Sequence, residues 1–377
     1  MMETRFGKFI TNKAFPKLFM LLYAVSVFFT AYITDRAISR VFSIRTYGAA
    51  YIFYVLAAVL AMAQKSVGKR WPDKGYKVAV SVLSCFLIYN LFFLVLWEIT
   101  ALLFRTDEIV EAVGAMVCAG LAVMTVLYGY LHTKAVACAT YTIALGEKGA
   151  EYRIALLSDI HLGVFVGPKH VKKVVDAVNA LVPDLVVIAG DILDVDNDIL
   201  TDSAKLAEIS GIFRNIKSRD GVYAVLGNHD PNVADERLTN FLQEAQIHLL
   251  HNETLQFPQI NLIGRTDAAN NIRKPMERLI HKIDGAKPVV VLDHDPQNIR
   301  EAAAYGVDLV LCGHTHRGQF FPITLFTKWA NGKHYFYGHE IFGKTHGIIT
   351  SGAGFFQLPV RIGTSNEVVD IHLKLAG

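Results

Sequence analysis

The first third of the chain contains four long apolar runs, which constrain its fold more than any other feature. They cover residues 18–34, 47–63, 78–104 and 112–131. A helix that crosses the hydrocarbon core of a bilayer needs about 20 mostly apolar residues. The last two runs reach that length easily, and the first two lie near its lower limit. We therefore predict four transmembrane helices, with two helices and interfacial segments as the alternative.

The Lys and Arg residues around these runs predict an orientation. With the N-terminus inside, the inner segments carry nine of them and the outer loops carry four. Cytoplasmic loops of membrane proteins are enriched in Lys and Arg, and four crossings return the chain to its starting side. We therefore expect the rest of the chain to lie in the cytoplasm, whereas an odd number of spans would reverse this.

Glu98 is an ionisable residue inside the third apolar run. Charges at membrane depth often mark transport pathways, and apart from Glu98 they are scarce here, which argues against a transporter. Because Arg105 and an acidic loop follow closely, we expect Glu98 near a membrane interface in a structural role.

The pattern of the sequence changes after residue 132, where strand-like segments begin to alternate with helical ones. We predict a transmembrane region at residues 1–140 and a second domain at residues 141–377. Strands are predicted at residues 141–145, 152–157, 185–189, 222–226, 289–292, 307–311, 348–350 and 368–373, and helices at 170–182, 204–216, 235–245 and 298–304. This alternation is typical of an α/β layered domain. The net charge of +3 gives no reason to expect a nucleic-acid partner.

Polar residues with metal-binding side chains follow five of these predicted strands. They are Asp159 and His161, Asp191 and Asp194 after Gly190, the run Asn228, His229 and Asp230, then His294, and finally His314 and His316 after Gly313. Taken singly, each is more often a structural residue. Strands of one sheet end side by side, so the groups at their carboxyl ends converge. The set therefore predicts a metal site, and its mixed nitrogen and oxygen donors favour manganese, iron or zinc.

In this order, the residues resemble the calcineurin-like metallophosphoesterase family over roughly residues 150–375. The tail is similar to the membrane-anchored bacterial branch of that family. The shared features are Gly318 and Gln319 close after His316, the segment 351–354, and Pro359 with Arg361. Arg317 departs from the pattern, because that branch usually has a small residue there.

The resemblance implies a two-sheet β sandwich flanked by helices, with two divalent metal ions. One ion would be held by Asp159, His161 and His316 and the other by Asn228, His294 and His314, with Asp191 bridging them. A hydroxide between the ions would attack phosphorus in line. His229 would stabilise or protonate the leaving oxygen, and Asp230 would orient His229. Asp194 is expected to brace a turn.

We therefore expect a membrane-anchored, dinuclear metal-dependent phosphohydrolase that cleaves a phosphodiester or pyrophosphate bond. A lipid-linked substrate and the membrane itself are the candidate partners. A cytoplasmic pyrophosphatase of the UDP-diacylglucosamine type is one specific variant. The alternative is a non-catalytic metal-binding scaffold or receptor in the membrane, against which the complete ligand set and His229 argue.

Residues 320–342 are rich in aromatic side chains. They include Phe320, Phe321, Phe326, Trp329, Tyr335, Phe336 and Tyr337. Ordinary packing of a long loop explains such a segment, and so does a wall that contacts substrate or lipid near the bilayer. The sequence leaves both interpretations open.

Overall fold

The computed structural model describes most of the chain. The described residues are 14–43, 48–56, 74–146, 149–194, 198–267, 272–281, 283, 285 and 287–375. The chain divides into two compact units, residues 1–131 with 358–360 and residues 132–357 with 361–377. The predicted division after residue 140 stays a prediction.

The N-terminal unit is helical. It contains α1 (Ala14–Phe42), α2 (Lys74–Phe104) and α3 (Glu108–His132), and residues 49–56 are also helical. Among the described residues, Gly75–Phe104 and Glu108–His132 are long and apolar enough to cross a membrane. The first predicted run lies within α1, and the second extends beyond the described residues. Two candidate spans are therefore found, and the count of four stays a prediction.

Arginines of α1 pair with the acids of the other two helices. Arg36 lies 3.0 Å from Glu98 and 3.4 Å from Glu111, and Arg40 lies 3.0 Å from Glu108. Glu98 is therefore neutralised within its own unit, which agrees with the structural role that we expected for it.

The C-terminal unit contains twelve described strands in two six-stranded sheets. The strands are β1 (Val136–Ala144), β2 (Glu151–Leu157), β3 (Leu185–Ala189), β4 (Val222–Val225), β5 (His248–Leu249), β6 (Glu253–Gln256), β7 (Asn261–Gly264), β8 (Val289–Leu292), β9 (Leu309–Cys312), β10 (Gly338–Phe342), β11 (Thr345–Ile349) and β12 (Asn366–Lys374). The first sheet has the order β1-β12-β2-β3-β4-β5 and the second β10-β11-β9-β8-β7-β6. The strands β2, β3 and β4 run parallel, as do β7, β8 and β9.

The described part of this unit also contains six α-helices. They are α4 (Pro168–Leu181), α5 (Ser203–Phe213), α6 (Glu236–Glu244), α7 (Met276–Ile280), α8 (Ile299–Ala304) and α9 (Ile323–Asn331). The first three pack on the first sheet in one apolar cluster, and α7 and α8 pack on the second sheet in another.

A third apolar cluster lies between the two sheets. Side chains alternate along each strand, so Leu156 and Val187 meet Val290 and Leu311 in this inner cluster. Their neighbours Leu157 and Ile188 face the helices on the other side of the first sheet. The predicted two-sheet sandwich flanked by helices is therefore confirmed for this unit.

Several elements depart from the predictions. The first strand begins at Val136, five residues earlier than predicted, because it pairs along its whole length with β12. The strands β5, β6, β7 and β10 and the helices α7 and α9 were not predicted. Most are short, and β5, β6 and β10 lie at or near sheet edges, where alternation is weak because little of the strand is buried.

Candidate metal and catalytic site

The structure brings the seven predicted metal ligands into one cluster at the carboxyl ends of five strands. Asp159 and His161 follow β2, Asp191 follows β3, Asn228 follows β4, His294 follows β8, and His314 and His316 follow β9. Parallel strands of both sheets end here, which is why residues far apart in sequence meet. Asp159, His161, Asp191 and His294 are at most 1% exposed.

The backbone at the site is held in an unusual conformation. The φ angles of Asp159, His161, Asp191, His314 and His316 lie between 50° and 72°, in the left-handed region that non-glycine residues seldom adopt. Gly190 has a φ of 85°, and a Cβ there would lie 2.7 Å from Nδ1 of His294. Such strain costs roughly 1–3 kcal/mol per residue and persists where surrounding structure enforces it, as at functional sites.

One group of ligands consists of Asp159, His161 and His316. Their donor atoms lie within 4.8 Å of one another. The Nε2 atoms of His161 and His316 are 3.0 Å apart, and Nε2 of His316 is 3.4 Å from Oδ1 of Asp159. The main-chain N–H of His314 donates to both oxygens of Asp159, which fixes that carboxylate.

The second group is built around His294. Its Nε2 lies 3.2 Å from Oδ2 of Asp191, 3.2 Å from Oδ1 of Asn228 and 3.3 Å from Nδ1 of His314. Nδ1 of His314 is 2.8 Å from Oδ1 of Asn228. Nδ1 of His294 is 2.7 Å from the carbonyl oxygen of Ala189, which accepts its N–H and leaves Nε2 as the free donor atom.

Asp191 lies between the two groups. Its Oδ2 is 3.2 Å from Nε2 of His294 and 3.7 Å from Nε2 of His161, while its Oδ1 accepts the main-chain N–H of His229. Asp159 also lies within 4.8 Å of both Asp191 and His294. Both carboxylates are therefore close to both groups, and Oδ2 of Asp191 faces an imidazole of each.

The protonation of the cluster follows from burial and from the neighbouring charges. Burial lowers the pKa of His161 to about 3 and raises the pKa of Asp159 to about 6. Burial also lowers the pKa of His316, and His161 adds to this effect. Burial would raise the pKa of Asp191, but His294 outweighs burial and holds it below its ordinary value. His161 and His316 are therefore neutral near pH 7, as imidazole ligands must be.

These residues fit a pair of divalent metal ions. Two neutral imidazole nitrogens 3.0 Å apart can share one proton or bind one cation, and only a cation also compensates the charge of the buried Asp159. The Nδ1 atoms of His161 and His316 are buried without a hydrogen-bond partner, so no hydrogen bond of Nδ1 fixes the orientation of either ring. The donor set of imidazole, carboxylate and amide oxygen suits manganese, iron or zinc.

His229 lies at the edge of this cluster. Its Nε2 is 4.0 Å from Oδ2 of Asp191, and its side chain is 28% exposed. Burial lowers its pKa, and His294 and His314 contribute in the same direction while Asp191 opposes them. His229 is thus close to the two ligand groups and reachable from solvent.

The carboxylate of Asp230, predicted to orient His229, contacts main-chain groups. The carboxylate of Asp230 accepts the main-chain N–H groups of Leu193 and Gly227, at 2.8 Å and 2.9 Å, and not the ring of His229. Asp230 therefore ties the loop after β3 to the loop after β4. The ring of His229 stacks instead on Phe356, with centroids 4.8 Å apart and planes at 23°.

Phe356 and Arg361 are two further residues of the site. Phe356 also lies against His161, with ring centroids 5.2 Å apart. Arg361 is fully buried and donates to the carbonyl oxygens of His316 at 3.0 Å and Ser351 at 2.7 Å. Sequence reasoning missed Phe356, which lies in an irregular segment with no pattern, and noted Arg361 only within the resemblance.

A family model matches the central part of this unit. Residues 152–318 match the model of the calcineurin-like phosphoesterases. The match begins in β2 and ends just after His316, so it includes every predicted ligand.

Several curated proteins are similar to this chain. An uncharacterized metallophosphoesterase of Helicobacter pylori is 32% identical over 61% of this chain and 62% of its own length. A transmembrane protein with a metallophosphoesterase domain from Danio rerio is 34% identical over 59% of this chain and 53% of its own. An uncharacterized metallophosphoesterase of Campylobacter jejuni is 25% identical over 96% of this chain and 98% of its own.

The matches to the first and second of these relatives span only about half to three-fifths of the relatives' length. Residues 152–318 thus match the calcineurin-like phosphoesterases, a family of metal-dependent phosphoesterases, and the relatives that resemble the chain are named metallophosphoesterases or carry such a domain.

Proposed function

We propose that the chain is a membrane-anchored, dinuclear metal-dependent phosphohydrolase that cleaves a phosphodiester or pyrophosphate bond. The observation that carries this proposal is the position of Oδ2 of Asp191 between His294 and His161, at 3.2 Å and 3.7 Å. One carboxylate oxygen that faces two imidazole groups is the arrangement a pair of neighbouring cations requires.

The buried ligands and the exposed ligands have different tasks. The floor of the site is closed to solvent and consists of Asp159, His161, Asp191 and His294. Two divalent ions bound there would supply Lewis-acid charge for a phosphoryl group and for a water molecule. Asn228 is exposed and His314 is half-buried, so the phosphoryl group approaches from their side. Burial keeps His161 and His316 neutral, but Asp191 outweighs burial and raises the pKa of His294. A proton on His294 competes with a metal ion, so activity should fall in acid solution.

His229 is the proposed general acid. Its main-chain N–H donates to Oδ1 of Asp191 at 3.0 Å, and Phe356 stacks on the ring, so both backbone and ring are fixed. Nε2 remains on the solvent side of Asp191, where it can donate a proton to the leaving oxygen of a diester. Such catalysis typically contributes about 10²–10⁴-fold in rate.

The membrane anchor would keep the enzyme at the bilayer surface and so determines which substrates it encounters. Two helices long enough to span a bilayer precede the domain, and tethering raises the effective concentration of the enzyme at the membrane surface. A lipid-linked phosphodiester or pyrophosphate, on the cytoplasmic side, is therefore the substrate class we favour. A pyrophosphatase of the UDP-diacylglucosamine type belongs to this class.

Hydrolysis of bis-p-nitrophenyl phosphate by the full chain in detergent, with added manganese, tests this proposal. We expect His229→Ala to lower kcat by about 10²–10⁴-fold while the metal content stays unchanged. His281→Ala, at an exposed histidine that follows α7, is the matched control and should retain the wild-type rate. Equal rates for the wild type and His229→Ala would favour the non-catalytic scaffold instead.

A further inference from the structure

The helix α9 exposes an apolar face. None of its residues is buried, and the exposed fractions are 61% for Leu325, 44% for Phe326 and 70% for Trp329. Ile323 and the preceding Phe321 are each 39% exposed. The spacing of Leu325, Phe326 and Trp329 places them on one side of a helix. Ordinary loop packing therefore does not account for this part of the aromatic segment.

The helix rests directly on the turn that carries a metal ligand. A Cβ added to Gly318 would lie 2.5 Å from the Cα of Thr324 and 3.0 Å from Oγ1 of Thr327, so α9 packs against the turn His316–Gly318 without space for a side chain. At its other end, Nε2 of Gln297 donates to the carbonyl oxygen of Asn331 at 3.2 Å. Because Gln297 lies in the turn after His294, α9 is tied to loops of both ligand groups.

The composition around the exposed face matches a lipid head-group region. Lys328 and Lys333 are exposed, and residues 321–339 contain no acid. Helices that lie in a membrane interface combine Trp, Phe and Leu on one face with Lys or Arg beside it, and each basic residue near an anionic surface contributes about 1 kcal/mol. The charge favours a surface with anionic lipids over an uncharged apolar partner.

We propose that α9 docks into the head-group region of a bilayer containing anionic lipids, with Leu325, Phe326 and Trp329 inserted. The docked helix holds the loops of His294 and His316 at the lipid surface. This rests on the proposed function and deepens it, since the substrate would then be a phosphodiester or pyrophosphate presented by a lipid head group. A protein partner or a second copy of the chain on this face is the competing outcome.

Quenching of Trp329 by brominated phospholipids tests the docking. The full chain is reconstituted into vesicles of phosphatidylcholine and phosphatidylglycerol, with plain or brominated acyl chains. The contribution of Trp329 is the difference in fluorescence between the wild type and Trp329→Phe. We expect the brominated lipids to lower that contribution by about twofold or more, as for a side chain at the acyl boundary. An equal contribution in plain and brominated vesicles would overturn the proposal, as would the presence of a protein partner or second copy on this face.

Two controls make the result specific. Tyr305→Trp in the Trp329→Phe background places a tryptophan after α8, at a residue that is 41% exposed, and we expect no quenching of it. Lys328→Glu should reduce the quenching of Trp329 when phosphatidylglycerol is present. Quenching at position 305 equal to that at 329 would contradict docking through α9.

Quenching does not depend on turnover, so the two proposals can fail separately. A protein that hydrolyses soluble diesters but shows no quenching of Trp329 would contradict the docking alone. An inactive protein with a quenched Trp329 would contradict the proposed function alone.

Discussion

Buried acids near His294 are compensated in two different ways. Asp293, 1% exposed, lies 2.6 Å from Arg273 and 3.5 Å from Arg265. Asp159 and Asp191, at 0% and 1%, form no ion pair with a Lys or Arg among the described residues and face imidazoles instead. Adjacent parts of one unit thus contain a carboxylate paired with arginines and two carboxylates that face imidazoles, of which His294 pairs with Asp191.

The difference separates structural acids from functional ones. Burial lowers the pKa of Arg273, but Asp293 outweighs burial and holds it above its ordinary value. Burial raises the pKa of Asp293 even though Arg273 and Arg265 oppose it, and burial raises the pKa of Asp159, which has no arginine partner, to about 6. Arginines compensate the structural acid, whereas Asp159 and Asp191 face imidazoles, and a bound cation would add to the compensation of both.

The largest expected change in the free energy of unfolding follows from breaking the ion pair of Arg273 with Asp293. Arg273→Met leaves Asp293 buried beside a more distant arginine, and breaking a buried pair in this way costs about 3–5 kcal/mol. Urea unfolding of the full chain in detergent measures this loss. Arg237→Met, at an exposed arginine paired with Asp235, should change the free energy of unfolding by less than about 0.5 kcal/mol. Similar values for both variants would remove the distinction between the clusters.

A gain in stability, instead of a loss, is expected when the charge of Asp159 is removed. In protein stripped of metal, Asp159→Asn should raise the free energy of unfolding at pH 7 by about 1–2 kcal/mol, because it removes an uncompensated buried charge. The pKa is raised from 3.8 to about 6, so the wild type carries this penalty above pH 6 and loses it as the pH falls below 4. The advantage of the variant should disappear over that range. Destabilisation of the metal-free protein at pH 7 would contradict the account.

A smaller loss of stability is expected at a buried acid whose arginine partner is partly exposed. Arg153 donates two hydrogen bonds of 2.7 Å to Asp370. Burial would raise the pKa of Asp370, but Arg153 and His372 outweigh it and lower the pKa. Asp370→Asn should therefore cost about 0.5–1 kcal/mol at pH 7. The cost should vanish as the pH falls through the lowered pKa, and unfolding curves at pH 7 and below pH 3 check this.

The ligand positions could be predicted from sequence because each follows a strand with a clear apolar pattern. Asp159, Asp191 and His294 come directly after or soon after strands whose residues are buried on both faces, and the strand ends of a layered domain converge. The roles of neighbours could not be predicted in this way. Asp230 follows a strand too, yet its carboxylate accepts main-chain N–H groups, and only the tertiary structure decides between those acceptors.

Contacts made by irregular segments left no signal in the sequence. Phe356 reaches His229 from more than a hundred residues away, through a segment with no regular pattern. The helix α9 was not predicted, because its apolar residues lie on an exposed face and resemble those of a packed loop. In the N-terminal unit, composition sufficed to indicate spanning helices, two of which are found among the described residues.

The metal content of the purified full chain tests the central claim most directly. After incubation with manganese or zinc and removal of free ions, we expect two ions per wild-type chain. Asp191→Asn should lose both together, because Asp191 faces both groups, whereas Asp370→Asn should keep both. A wild-type chain that binds no metal, or an Asp191→Asn chain that binds as much as the wild type, would contradict the account.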